Sequence, residues 1–213
     1  IVPFLCRYGK IFGKKEAIEL GVSQMKEFME HGMDENSGLP YHGYDLKTKV
    51  KYGIIGWGRA VGWLLLAMSD SYEYLDDKDQ KWLQGVYAKL LADSINCLRE
   101  DGYFSWQLEA KEGPKDTSAT AMIGYALQKA INLGIVQAKD EVSIKSRYRT
   151  FNKTKITFQN SAKVMEQAIL LSVKQGKILD CSGECEGFSQ YPQVYGAYPW
   201  SLGPGMRFLM LRK

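Results

Sequence analysis

A chain of 213 residues fits a single domain and is long enough to bury about 70% of the surface its unfolded form exposes. Hydrophobic residues at 45% and charged residues at 24% are ordinary globular proportions and exclude a disordered or fibrous class. A net charge of +4 suits an acidic ligand but is far from a nucleic-acid signature, and no apolar run is long enough to span a membrane.

Helical stripes dominate the pattern in chain order. Residues 1–12 form a first helix, with Pro3 tolerated in its opening turn and Phe4, Leu5, Tyr8, Ile11 and Phe12 on one side. Residues 14–31 form a second, carrying Ile18, Val22, Met25, Phe28 and Met29. A loop over 33–55 contains Tyr41-His42-Gly43-Tyr44-Asp45. The octet Gly56-Trp57-Gly58-Arg59-Ala60-Val61-Gly62-Trp63 then opens an apolar helix reaching Tyr72. The turn Asp76-Asp77-Lys78-Asp79 puts acids where a helix N-terminus favours them, ahead of a helix over 81–99. After a loop over 101–114, Asp116 or Thr117 caps a helix over 117–133.

Residues 135–155 divide into a helix and a basic connector. The basic block 145–155 lacks a base-reading motif and reads as a solvated surface segment. Residues 158–173 are helical, 176–179 a short strand, 182–199 a loop dense in Gly, Tyr and Pro, and 206–211 a last helix. Helical hairpins with short links at one end and long loops at the other predict an all-α stack or toroid of hairpins, one domain over 1–213, with its functional residues among the long loops.

Those loops hold the candidate chemistry. His42 is one of two histidines and supplies a titratable base or acid. Asp45 is either a turn acid or a catalytic carboxylate. Arg59 and Trp63, four apart on a helix, share a face, and an arginine fork beside an aromatic plate suits a planar anionic ring. Trp57 reads as packing. Later loops add Trp106 and Glu109, then Glu186, Tyr195 and Trp200. Of the four cysteines, Cys6 and Cys97 lie in apolar helical contexts, and the C-x3-C of Cys181 and Cys185 fits no zinc spacing. That cysteine usage leans to a reducing, cytoplasmic compartment.

In this order Tyr-His-Gly-Tyr-Asp, Trp-Gly-Arg-Ala-Val-Gly-Trp, Asp116-Thr117-Ser118-Ala119-Thr120-Ala121 and Gly196-Ala197-Tyr198-Pro199-Trp200 resemble the unsaturated glycuronyl hydrolases. The match is to glycoside hydrolase family 105, the unsaturated rhamnogalacturonyl hydrolases, with family 88 as near relative. The resemblance implies an (α/α)6 barrel, incomplete here at its N-terminal end. It implies removal of a 4,5-unsaturated uronic acid from the non-reducing end of pectin- or glycosaminoglycan-derived oligosaccharides, by hydration of the double bond and without metal or organic cofactor. The partner implied is an unsaturated uronide oligosaccharide, with no nucleic acid and no membrane.

By resemblance His42 is the active-site histidine, and Arg59 and Trp63 contact substrate; Tyr44, Asp45 and Trp200 are further substrate-binding candidates. The family's acid/base aspartate falls upstream of Ile1, so the resemblance implies an inactive fragment. Ala60-Val61 replaces the family's more usual Gly-Asn. A second reading of the same loops is a non-catalytic helical module that binds acidic oligosaccharide or a protein partner.

Overall fold

The computed structural model describes residues 1–144 and 154–211; most of the basic block, 145–153, lies outside the described residues. Its helices are α1 (Val2–Phe12), α2 (Lys15–His31), α3 (Gly58–Ser71), α4 (Asp77–Ile95), α5 (Thr117–Asn132), α6 (Phe158–Leu171) and α7 (Pro199–Leu211). Five two-stranded antiparallel hairpins sit in the connections: β1 (Gly43–Tyr44) with β2 (Lys51–Tyr52), β3 (Phe104–Ser105) with β4 (Lys115–Asp116), β5 (Glu141–Ile144) with β6 (Thr154–Thr157), β7 (Val173–Lys174) with β8 (Lys177–Ile178), and β9 (Cys181–Ser182) with β10 (Tyr195–Gly196). The class is all-α, as the hairpin pattern predicts.

Caps explain where helices begin. Asp76 accepts from Asp79 N, Asp116 from Ser118 N and Thr157 from Asn160 N, each satisfying a free N–H of the first turn. The Asp76 cap starts α4 at Asp77, so it runs earlier than the expected 81–99. Helix α3 has no side-chain cap. Instead the carbonyl of Trp106 takes the Gly58 N–H at 2.7 Å, and Gly56 O accepts from Leu108 N at 2.9 Å. One long loop thus caps the helix that follows another.

Two segments depart from the pattern. Residues 135–144 hold no helix: after a short turn the chain enters β5, and Val142 and Ile144 of this β-branched stretch pair with Ile156 and Thr154. The last helix begins at Pro199, not at residue 206. Pro199 stands in the first turn, where its missing N–H costs nothing, and Pro204 is accommodated inside the helix. Trp200 is therefore a helix residue, not a loop residue.

Helix α5 is the centre of the core. Its residues from Thr117 to Gln128 are all buried, and it packs against α3 on one side and α7 on the other, with α6 behind. A Cβ on Gly62 of α3 would meet Met122 at 2.6 Å, and one on Gly124 would meet the fully buried Phe208 ring of α7 at 2.5 Å. These contacts pair 62 with 122 and 124 with 208. Near the start of α3, a Cβ on Gly58 would meet Ala119, close to the start of α5. The three helices therefore run parallel, with their N-termini at one end. Helix α1 packs antiparallel to α2 and beside α3. Its Phe4, Tyr8 and Phe12 form an exposed ring ladder at 5.9 and 4.9 Å.

At the opposite end, Asp70 of α3 ties the same helices together. Arg207 of α7 donates to both of its oxygens at 2.8 Å, and Tyr125 and Lys129 of α5 donate at 2.9 and 3.5 Å. The Arg207 guanidinium also lies 4.1 Å over the Tyr125 ring and donates to its hydroxyl. Burial alone would raise the Asp70 pKa. The hydrogen bonds from Arg207 and Tyr125 and the charges of Arg207 and Lys129 outweigh it, so the carboxyl sits below its usual range.

Two outcomes follow. Gly124→Ala gains about 1 kcal/mol of helix propensity but forces the Phe208 ring, at a cost of about 1–3 kcal/mol, so urea denaturation shows a net loss. Asp70→Asn lowers stability at pH 7 by about 2 kcal/mol. Because the folded-state pKa lies below the unfolded value, that contribution is present above about pH 3.9 and fades as pH falls through the folded pKa. Wild type and variant therefore converge in denaturation curves taken at acid pH.

Candidate active site

The N-terminal ends of α3, α5 and α7 meet at the loop-bearing end, each bringing the positive end of a helix dipole. Arg59, in the first turn of α3, is buried here at 4% exposure. Its Nη1 donates to Ser182 O at 2.7 Å and Ser182 Oγ at 3.1 Å, and its Nη2 to Gly183 O at 2.6 Å. The guanidinium lies 4.6 Å from the Trp57 ring centre and 4.9 Å from that of Trp200. Trp200 Nε1 donates to the same Ser182 carbonyl at 3.0 Å. The fork expected to face a ligand thus spends these donors on the β9 strand, between two indoles.

Ser182 passes the charge on. Its hydroxyl donates to Asp116 Oδ2 at 2.7 Å, while Oδ1 accepts from Ser118 N, Ser118 Oγ and Ser182 N. Asp116 is fully buried, so its charge is tolerated through these four bonds and the cation one hydroxyl away. The neighbouring Cys181 thiol is pushed up to about 11 by burial and by the Asp116 charge, which leaves it unreactive at neutral pH. None of the four cysteines is in a disulfide.

His42 stands beside this clamp. Its ring centre is 4.5 Å from Trp57 and 4.9 Å from Phe188, and Nδ1 lies 2.9 Å from the Tyr191 hydroxyl. Burial, and then the Arg59 charge, hold its pKa below the ordinary imidazole value, so it is neutral at pH 7. A hollow of about 230 Å3 opens next to it, lined by Phe28, Tyr41, His42, Trp57, Trp63 and Leu64 among others. That is smaller than the roughly 300–1,000 Å3 of drug-sized sites, and fits one small ring. Trp63 is half exposed and lines the hollow, so a ring bound there meets an indole. A larger hollow of about 710 Å3 lies between α4 and the β5–β6 hairpin; among the described residues its titratable wall groups are Asp140 and Glu141.

The sequence candidates therefore separate. His42 and Trp63 share the small hollow, and Arg59 and Trp200 form the clamp behind it. Tyr44 instead stacks on His31 at 5.3 Å. Asp45 closes the β1–β2 turn, Oδ1 accepting from Lys47 N at 2.8 Å and Thr48 N at 2.9 Å, which lowers its pKa. Trp57, read as packing, is indeed buried, yet it also floors the hollow. Tyr191, Phe188 and Ser182 were not singled out. Their loop is dense in aromatics and glycine, but no period in it marks which side chain turns inward.

Known proteins are similar to this chain. Protein Atu3128 of Agrobacterium fabrum is 31% identical over 150 residues, 65% of this chain and 64% of that protein. The unsaturated rhamnogalacturonyl hydrolase YesR of Bacillus subtilis is 25% identical over 129 residues, 60% of this chain and 38% of YesR. Among solved structures, a possible member of the GH105 family from Salmonella enterica matches with a TM-score of 0.81 at 21% identity, over 99% of this chain and 53% of that one. The chain thus spans less than two-thirds of each relative, and its helices have the arrangement of the (α/α)6 barrel enzymes. The model for Glycosyl Hydrolase Family 88 matches residues 1–184, most of the chain and every residue of the hollow, and the chain belongs to that family.

Proposed function

We propose that this chain forms the sugar-binding wall of a hydrolase that removes a 4,5-unsaturated uronic acid from the non-reducing end of an oligosaccharide, by hydrating the double bond. The observation that carries the reading is the small hollow in which the half-exposed Trp63 and the neutral His42 share one wall, backed by the buried cation Arg59 and the converging helix N-termini. A flat unsaturated ring stacks on Trp63. Its carboxylate gains from the positive ends of the converging helix dipoles. His42 orients the reacting end by hydrogen bonding. Family membership and the name of the YesR relative support a carbohydrate substrate of this kind.

On this reading Arg59 acts indirectly. It fixes Trp200 and the Ser182–Gly183 backbone, and lends its charge from behind the wall. The wall of the hollow holds no carboxylate among the described residues. The acid that protonates the double bond therefore comes from another part of the enzyme.

Binding can be measured on the 213-residue chain. A 4,5-unsaturated disaccharide quenches its tryptophan fluorescence, and Trp63→Ala weakens that binding about tenfold, or about 1.4 kcal/mol. Equal affinity for the saturated disaccharide would overturn the reading. Turnover is read on the full-length natural protein as loss of the uronide's ultraviolet absorbance. There Arg59→Lys, which cannot hold two carbonyls in a fork, lowers kcat/KM by about 100-fold, or about 2.7 kcal/mol.

A further inference from the structure

The Tyr191 hydroxyl meets three groups at once. It lies 3.1 Å from Phe188 O, 3.3 Å from Ile54 N and 2.9 Å from His42 Nδ1. A carbonyl can only accept and an amide N–H can only donate, while a phenol has one proton and two lone pairs. With its proton on Phe188 O and one lone pair receiving Ile54 N–H, the phenol has one lone pair left for His42. The contact with Nδ1 is then a hydrogen bond only if Nδ1 carries the hydrogen. The other assignment, with the phenol proton on Nδ1, takes that proton away from the Phe188 carbonyl.

The surroundings keep these groups in register. A Cβ on Gly53 would fall 2.5 Å from both His42 Cβ and the Tyr191 oxygen, so only the bare backbone fits there. The Trp57 and Phe188 rings pack against the imidazole, and the Tyr191 ring is braced edge-on by Trp57 at 5.6 Å and tilted against Trp106 at 5.7 Å. The charged or titratable groups that act on this pair are Arg59 from α3, and Cys185 from the loop that carries Tyr191. His42 Nε2 makes no hydrogen bond among the described residues.

We infer that Tyr191 is a positioning residue that holds neutral His42 as its Nδ1–H tautomer, leaving Nε2 as the lone-pair nitrogen. An isolated neutral histidine prefers the opposite form, with the hydrogen on Nε2, so the tyrosine reverses the intrinsic choice. His42 then accepts a hydrogen bond from a ligand hydroxyl or water and does not donate one. The inference concerns the protein's own protonation state and goes beyond the proposed reaction; it stands or falls independently of substrate.

The protein has two histidines, His31 and His42, so 15N-histidine labelling of the 213-residue chain gives a spectrum of two imidazoles, and His31→Gln assigns them. Two-bond 1H–15N correlations at pH 8 distinguish the nitrogen that bears hydrogen from the one that does not. The expected result is hydrogen on Nδ1 of His42 in the unmodified chain. In Tyr191→Phe, which deletes only the hydroxyl, the hydrogen moves to Nε2 in the majority of molecules, while the His31 signals stay in place and report an intact fold. Hydrogen on Nε2 in the unmodified chain would overturn the inference, and that spectrum decides the matter even if the variant fails to fold. An unmoved His42 pattern in a folded Tyr191→Phe chain would also overturn it.

Discussion

The site end of the molecule depends on one buried cation. Arg59 is 4% exposed, lies between two indole rings, and donates to two consecutive carbonyls of a segment more than 120 residues away in sequence. A guanidinium suits this place better than an ammonium. It is more weakly hydrated, stacks flat, and presents a fork that matches two adjacent acceptors. Its removal would leave the Ser182 carbonyl with the Trp200 indole and the weaker Cys181 thiol as side-chain donors, and would strip the screening cation from the buried Asp116. Trp57, Ser182, Asp116 and Trp200 are all set by it, and His42 is tuned by its charge.

Much of the helical frame was legible because it follows from periodicity and caps. The apolar stripes put α2, α3, α5 and α6 within a few residues of their positions, and of the two cap candidates, Asp116 and Thr117, the structure uses Asp116. The errors have a common origin. Gly203, Pro204 and Gly205 look like a break, yet α7 runs through them because Gly205 lets Ile178 approach to 2.4 Å of where a Cβ would stand. Packing there overrides propensity. Residues 135–144 carried an apolar stripe too short to separate helix from strand.

The candidate residues could be read from the sequence only in part, and their wiring not at all. His42 and Trp63 do share a hollow. The spacing of Arg59 and Trp63 put them on one helix face, but whether the arginine points at a ligand or at its own backbone is decided by Ser182 and Gly183. Asp45 and Tyr44 were drawn in by proximity to His42 in sequence. On a turn, successive side chains diverge, and these two face a turn and His31. Tyr191 is the reverse case: its link to His42 spans 149 residues, and local pattern says nothing about it.

Helix α7 is held by a guanidinium at each of its ends, and the two grips differ in kind. Near Trp200 the acceptors are backbone carbonyls, which do not titrate; near Arg207 the acceptor is the Asp70 carboxylate, which does. Acid therefore reaches the Arg207 grip directly, and the Trp200 grip only at one remove, through the Asp116 carboxylate behind Ser182. The two ends of one helix thus answer differently to pH.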